Sequence, residues 1–264
     1  MNCDSIDIIK LGGSVITDKT EYKKRRFTEL KNICNQIGRW GGKCIIVHGA
    51  GSYGHIMAKE HNITSGYSDK SQIQGLMLIR KDMHELSAIV VNELISVKID
   101  AIYFQTSSLT YLTEEKDQYA HFFDPIQKAL QLDLVPVLSG DIIFAKNRGF
   151  DIISGDALIE ILSRNFNVKR VIFVTDVDGL MIGEVGTTNQ KHLEHASRKD
   201  LETLDVNTNF SKDSIDVTGS MKGKIESILS LLDSADEVII VNGLEGSRVL
   251  DVLQDKETPC TRIK

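Results

Sequence analysis

Short apolar runs recur along the chain, at Ile6 to Leu11, Lys43 to Val47, Ala101 to Gln105, Val135 to Leu138, Arg170 to Val174 and Glu237 to Val241. Between them lie longer segments in which apolar residues return at helical spacing, at Phe27 to Gly38, Ile73 to Ser96 and Gly223 to Asp233. The first kind predicts buried strands and the second amphipathic helices. Their alternation predicts an α/β three-layer sandwich, a largely parallel central sheet covered by helices on both faces. No repeat or low-complexity tract interrupts the pattern. The polar stretch from Gly183 to Lys191 reads as a surface hairpin or loop, and a soft boundary near residue 168 divides a single domain, residues 1–264, into two lobes.

In such sheets ligands bind beyond the carboxyl ends of the strands, and there the glycines gather. Lys10-Leu11-Gly12-Gly13-Ser14 follows the first run, and His48-Gly49-Ala50-Gly51-Ser52-Tyr53-Gly54-His55 follows the second. Later turns carry Ser139-Gly140-Asp141, Ser154-Gly155-Asp156, Thr175-Asp176-Val177-Asp178-Gly179 and Val217-Thr218-Gly219-Ser220-Met221. Glycine at a strand's end lets backbone N–H groups approach a phosphate, and the helix that follows adds a positive terminus. Two such turns point to two anionic sites, although tight turns also take glycine for conformation alone. Neither is a Walker loop, because GxxxxGK[ST] is absent. Gly49, Gly51 and Gly54 have the GxGxxG spacing, but no convincing acidic ribose reader stands about twenty positions on. A nicotinamide enzyme is therefore a poor second.

Composition narrows the function classes. The 264 residues are 41% hydrophobic and 26% charged, ordinary for a globular protein with a substantial core. The formal charge of −6 comes with no basic block longer than Lys23-Lys24-Arg25-Arg26, so a broad nucleic-acid-binding face has no support. That run reads as a solvated loop or helix start. Cys3, Cys34, Cys44 and Cys260 show no CxxC pairing and no histidine at zinc spacing, as expected of reduced thiols. With neither a signal-peptide pattern nor an apolar run of membrane-spanning length, the expectation is a cytoplasmic protein without a membrane partner.

Lys10 lies at the carboxyl end of the first strand, where a charge is costly to bury without an anionic partner. The alternative is an ammonium that snorkels to solvent. Lys19, in the polar loop after Ser14, becomes a candidate only through its company with Lys10. His55 is expected at the start of the helix after the second glycine turn, as a donor to a bound phosphate or as a structural or exposed residue. His48 reads as a packed turn residue. Asp176 and Asp178 suit lysine orientation, nucleotide contact or assistance to Mg2+, or else plain turn caps. Lys224 falls in the first turn of a helix, where a cation opposes the helix dipole unless an anion is present.

In this order the motifs resemble the amino acid kinase superfamily and, within it, the isopentenyl phosphate kinases. The resemblance runs from Lys10-Leu11-Gly12-Gly13-Ser14-Val15-Ile16-Thr17-Asp18-Lys19 to Thr261-Arg262-Ile263, nearly the whole chain. His55 and Lys19 carry the subfamily likeness. A histidine closing the second turn is shared with the fosfomycin kinases, whereas members acting on carboxylates, carbamate or UMP generally lack it. The resemblance implies that Lys10, Gly12, Gly13 and Ser14 hold ATP phosphates and that Lys19 helps position the transferring group. It assigns Gly49, Gly54, His55 and Gly140 to the acceptor phosphate, and Ala50, Asp176, Gly219, Ser220 and Lys224 to the nucleotide side. Three departures stand out: Ala50 where many relatives have glycine, Asp156 without the paired aspartate of many members, and Ser220 in place of a second glycine.

The implied reaction is direct transfer of the γ-phosphoryl group of ATP, with Mg2+, to a small phosphate acceptor by Lys10, Lys19 and His55, in a homodimer. Isopentenyl phosphate is the leading acceptor, and another small phosphate or phosphonate such as fosfomycin the alternative. A nucleotide-binding regulator without turnover is the reading from a different class. Leu76, Met77, Ile79, Met83 and Leu86 suit an acceptor's tail and an ordinary buried face equally well.

Overall fold

The computed structural model describes residues 5–113, 118–182, 191–203 and 221–264, with backbone alone at 65, 182, 191 and 221–224. The chain opens with β1 (Ile6–Leu11), the helical turn α1 (Gly13–Ile16), α2 (Phe27–Trp40), β2 (Cys44–His48), α3 (Gly51–Glu60), α4 (Gln72–Ser96) and β3 (Ala101–Tyr103). There follow α5 (Thr106–Leu109), β4 (Thr110–Leu112), β5 (Tyr119–His121), α6 (Asp124–Gln131), β6 (Val135–Ser139), β7 (Asp141–Ala145), β8 (Gly149–Ile153), α7 (Gly155–Asn165) and β9 (Val168–Thr175). Last come β10 (Leu180–Ile182), β11 (Lys191–Leu193), β12 (His195–Ala196), α8 (Arg198–Thr203), α9 (Met221–Leu231), β13 (Ala235–Asn242), α10 (Arg248–Leu253) and β14 (Cys260–Ile263).

The main sheet has the order β12-β14-β13-β9-β1-β2-β6-β3. From β13 to β3 every pairing is parallel, and β14 lies antiparallel to β13. Those six parallel strands are the six predicted from apolar runs. They are legible because helices cover both faces, so most positions favour an apolar side chain, the half-exposed edge strand β3 being the exception. A smaller sheet, β5-β4-β7-β8, was not predicted: its strands are short or partly exposed and make no continuous run. The antiparallel pair β10 and β11 flanks the expected hairpin, whose residues 183–190 lie outside the described ones.

Strand alternation sorts the core into two layers. Ile9 and Leu11 of β1 pack in a cluster with α2, α3, α4 and α10, whereas Ile6 and Ile8 pack in one with α6, α7 and α9. Helix α2 runs two residues beyond the predicted end at Gly38 and stops at Gly41, which takes the left-handed φ of 68° and donates its N–H to the Ile37 carbonyl. No helix among the described residues is long and apolar enough to cross a membrane. Cys34, Cys44 and Cys260 are buried free thiols.

One charge cluster ties β1 and β9 to the end of α10. The guanidinium of Arg170 donates from Nε to the Asp7 carboxylate at 3.0 and 3.1 Å, and from Nη2 to Asp7 at 2.5 Å and the Leu253 carbonyl at 3.2 Å. Its Nη1 donates to the Val252 carbonyl at 3.1 Å and to Asp255 at 2.8 Å. All the donors of this buried group are thereby used. Replacing one member strands the others, at a typical cost of about 3–5 kcal/mol. Arg170→Met is accordingly expected to lower stability by about that amount. Urea denaturation checks it, with a smaller loss expected for the more exposed Asp255→Ala.

Candidate active site

The carboxyl ends of β13, β9, β1, β2 and β6 share one edge, because these strands are parallel. There the first two glycine turns touch backbone to backbone. A Cβ on Gly13 would lie 2.6 Å from the Gly51 nitrogen and 2.7 Å from its Cα, and one on Gly49 would lie 2.8 Å from the Gly13 nitrogen. A Cβ on Gly12 would approach the Val174 carbonyl oxygen to 2.8 Å. Gly51 has φ +49°, which disfavours a side chain whatever the space. Thr17 stitches the two turns, its hydroxyl donating to the Gly13 carbonyl at 2.7 Å and accepting from the Ser52 N–H at 3.0 Å.

Helix α3 begins at Gly51 with Ala50 as its N-cap residue, which has no acceptor to cap it, and the Thr17 hydroxyl takes the Ser52 N–H in its place. His55 therefore stands in the second turn, half-buried, and not at the helix start as expected. The small residues read as an extended turn, but the contact with Thr17 lets the helix start earlier. Gly54 lies buried inside α3, where a Cβ would meet the Ala50 side chain at 2.7 Å and Met83 at 3.4 Å. Its smallness makes room for the Ala50 side chain one turn back, while α4 lies at ordinary contact distance.

Lys10 has the same strand parity as Ile8 and so emerges toward α7. Its Nζ donates to Asp156 at 2.5 Å and lies 5.3 Å from the centre of the Phe173 ring. The anionic partner that a lysine at this position requires is thus supplied within the chain. Asp156 sits in the first turn of α7, which Ser154 caps by accepting from the Ala157 N–H at 3.1 Å. Gly140 packs under that turn, its virtual Cβ 3.1 Å from the Gly155 nitrogen. The sequence shows Ser154-Gly155-Asp156 as a turn and cap, but nothing local joins Asp156 to a residue 146 positions away.

Across from the first glycine turn, Asp176 accepts from the Ser14 hydroxyl at 2.8 Å and from Thr175 at 3.1 Å. Asp178 is held instead by Asn242 at 2.8 Å and Arg248 at 2.6 Å, and those bonds lower its pKa. These bonds tie Asp178 to β13 and α10, 64 and 70 positions away. Lys19 is exposed and has no ion-pair partner among the described residues, whereas its neighbours Lys23 and Lys24 are both paired. Gly219 and Ser220 lie outside the described residues, as does the side chain of Lys224, whose backbone is in the first turn of α9. Of the apolar candidates on α4, Ile79, Met83 and Leu86 are buried and Met77 is exposed. Among the described residues no group of three or more His, Cys, Asp and Glu is placed to hold a metal.

His48 is fully buried, as a packed turn residue should be. Its Nε2 lies 2.8 Å from the Ser87 hydroxyl and its Nδ1 3.1 Å from the Gly49 carbonyl. Burial pulls its pKa down to about 4, so the neutral ring supports the second glycine turn.

Comparison with known proteins brings the site into a family context. The profile of the amino acid kinase family matches residues 6–242. The isopentenyl phosphate kinase of Methanothermobacter thermautotrophicus is 34% identical, over 97% of this chain and 98% of that protein. That of Thermoplasma acidophilum is 28% identical over 93% and 95%. A crystallographic isopentenyl phosphate kinase superposes with a TM-score of 0.80 at 27% identity, covering 98% of this chain and all of the other.

The depressed pKa of His48 has a consequence for stability. Between its ordinary value near 6.5 and about 4, the unfolded chain takes up a proton that the folded chain refuses, so this contribution falls as pH is lowered through that window. Other groups titrate there too, so the comparison is with His48→Asn. The wild-type urea midpoint is expected to fall more steeply from pH 6.5 to 4 than that of the variant, and parallel curves would refute the assignment.

Proposed function

The chain belongs to the amino acid kinase family, and on that premise we propose that it phosphorylates isopentenyl phosphate to isopentenyl diphosphate with ATP. The observation that carries the proposal is the pair of glycine turns in backbone contact, with Lys10 beside them, in a chain that is 28% and 34% identical to two isopentenyl phosphate kinases over nearly their full length. Two anions must meet for one phosphate to attack another. A crossing lined by backbone, with cations nearby, suits that task.

In the proposed mechanism an oxygen of the acceptor phosphate attacks the γ-phosphorus of ATP. The bond from that phosphorus to the β,γ-bridging oxygen breaks, and ADP departs with the electron pair. No general base is needed, since a phosphate monoester near neutral pH is already anionic. Catalysis then rests on positioning and charge neutralisation. Lys10 is assigned to the transferring phosphoryl group, exchanging part of its contact with Asp156 for phosphate oxygens. Lys19, exposed and unpaired among the described residues, is assigned to the same charge. Gly12, Gly13 and Ser14 would line the ATP phosphates, while Gly49, His55 and Gly140 would receive the acceptor phosphate. The nucleotide is assigned to the β9 and β13 side with Asp176 and Lys224, and the acceptor to the β2 and β6 side. Mg2+ would arrive on the nucleotide, its phosphates and water supplying most ligands and the ion neutralising their charge. A homodimer is the accompanying expectation, carried by the family resemblance, and a cytoplasmic location is the one drawn from the sequence.

The test is turnover of MgATP with isopentenyl phosphate, dimethylallyl phosphate, fosfomycin, UMP, glutamate and aspartate in parallel. Isopentenyl phosphate is expected to give the highest kcat/KM, and preference for a carboxylate or UMP would overturn the proposal. Lys10→Ala is expected to lose most turnover while remaining folded. His55→Ala should lose about 10²–10³ in kcat, the usual effect of a donor that acts mainly on the transition state. His55→Gln, which keeps an N–H donor, should recover part of it. Asp176→Ala is expected to raise KM for ATP more than KM for the acceptor.

A further inference from the structure

The loop carrying Lys19 is closed at its base and docked at its far side. Thr17 pairs with Arg25, and the Asp18 N–H donates to the Lys24 carbonyl at 2.8 Å. Asp18 shapes the turn by accepting from the Thr20 hydroxyl at 2.7 Å and the Thr20 N–H at 3.0 Å, bonds that hold its carboxyl well below the usual range. The far limb rests on α4. Lys23 Nζ lies 2.6 Å from both Asp82 and Glu85, and the Tyr22 hydroxyl donates to the other Asp82 oxygen. Lys23 also stands 5.5 Å from the centre of the Tyr53 ring of α3, and its φ of 58° is uncommon for a residue with a side chain.

Asp82 is buried in the middle of α4, and both of its oxygens are met by groups of this one loop. A carboxylate so placed is costly unless fully paired, so it holds the loop firmly. Lys23 and Lys24 are committed to carboxylates, which leaves Lys19 as the loop lysine open to an anion among the described residues. Lys19 follows by two positions Thr17, the residue that stitches the glycine turns.

We propose that Asp82 is a positioning residue, which latches the loop of residues 18–25 to α4 and so sets the rate of phosphoryl transfer through Lys19. The proposal rests on the role given to Lys19 above. A long flexible side chain loses freedom when it is placed, and a fixed base reduces what remains to be lost. Misplacement by an ångström at a reacting centre costs up to about 10²-fold in rate.

A double-mutant cycle tests it on the full-length enzyme with MgATP and isopentenyl phosphate. Asp82→Asn is expected to lower kcat on the order of 10- to 100-fold with little change in KM for ATP. In a Lys19→Met background the same substitution should cost nothing further, because its effect passes through Lys19. Additive losses would mean that Asp82 acts by another route and would overturn the proposal. Full activity of Lys19→Met would overturn the role of Lys19 and the proposal together, with the acceptor panel left to judge the function separately. Trypsin gives a readout independent of activity: the Asp82→Asn loop should be cut faster, and an unchanged rate would count against a latch. If the buried carboxamide prevents folding, Lys23→Met in the same cycle decides.

Discussion

Two strand-to-helix turns meet at the carboxyl edge of the sheet with no room for a side chain between them, and the site depends on that contact. The β1 and β2 register places Leu11 beside His48, so the turns that follow must cross at once. Gly13, Gly49 and Gly51 allow the crossing by lacking Cβ atoms, and Thr17 holds it by bonding to both sides. The result is a surface of backbone at the start of α3, where Ala50 offers no cap and the Thr17 hydroxyl takes the Ser52 N–H. Lys10 reaches the same region from the opposite face of the sheet, since it alternates with Ile9 and Leu11.

Paired charges have different work at the two ends of the strands. Toward the amino ends, Arg170 spends every donor on Asp7, Asp255 and two carbonyls, so the cluster has nothing left to offer a ligand. At the carboxyl edge, Lys10 gives one bond to Asp156, a partly exposed partner, and an ammonium has three protons to give. The first arrangement fixes strands and helix in place. The second leaves an ammonium at the edge with donors to spare, the feature on which the role proposed for Lys10 rests.

Much of this is legible in the amino-acid sequence. The central strands declare themselves because burial on both faces demands unbroken apolar runs, and the glycine turns because their positions follow those runs. The basic run from Lys23 to Arg26 reads as a solvated loop or helix start, which Lys24, Arg25 and the N-cap Arg26 fit, but it gives no sign that Lys23 docks on Asp82 and Glu85 of α4, about sixty positions later in the chain. The start of α3 was likewise set by a contact with Thr17 that no local pattern announces.

The sequence by itself determined the parallel α/β architecture, the strand-end glycines and the chemical types available at that edge. These follow from local rules, the periodicity of burial and the steric freedom of glycine. Which groups meet was decided only by tertiary structure. Asp156 becomes the partner of Lys10 across 146 positions because strand order and strand parity aim both at one point, and that order is a property of the whole sheet. For the same reason Asp178, two residues from Asp176, faces Asn242 and Arg248, while Asp176 faces Ser14.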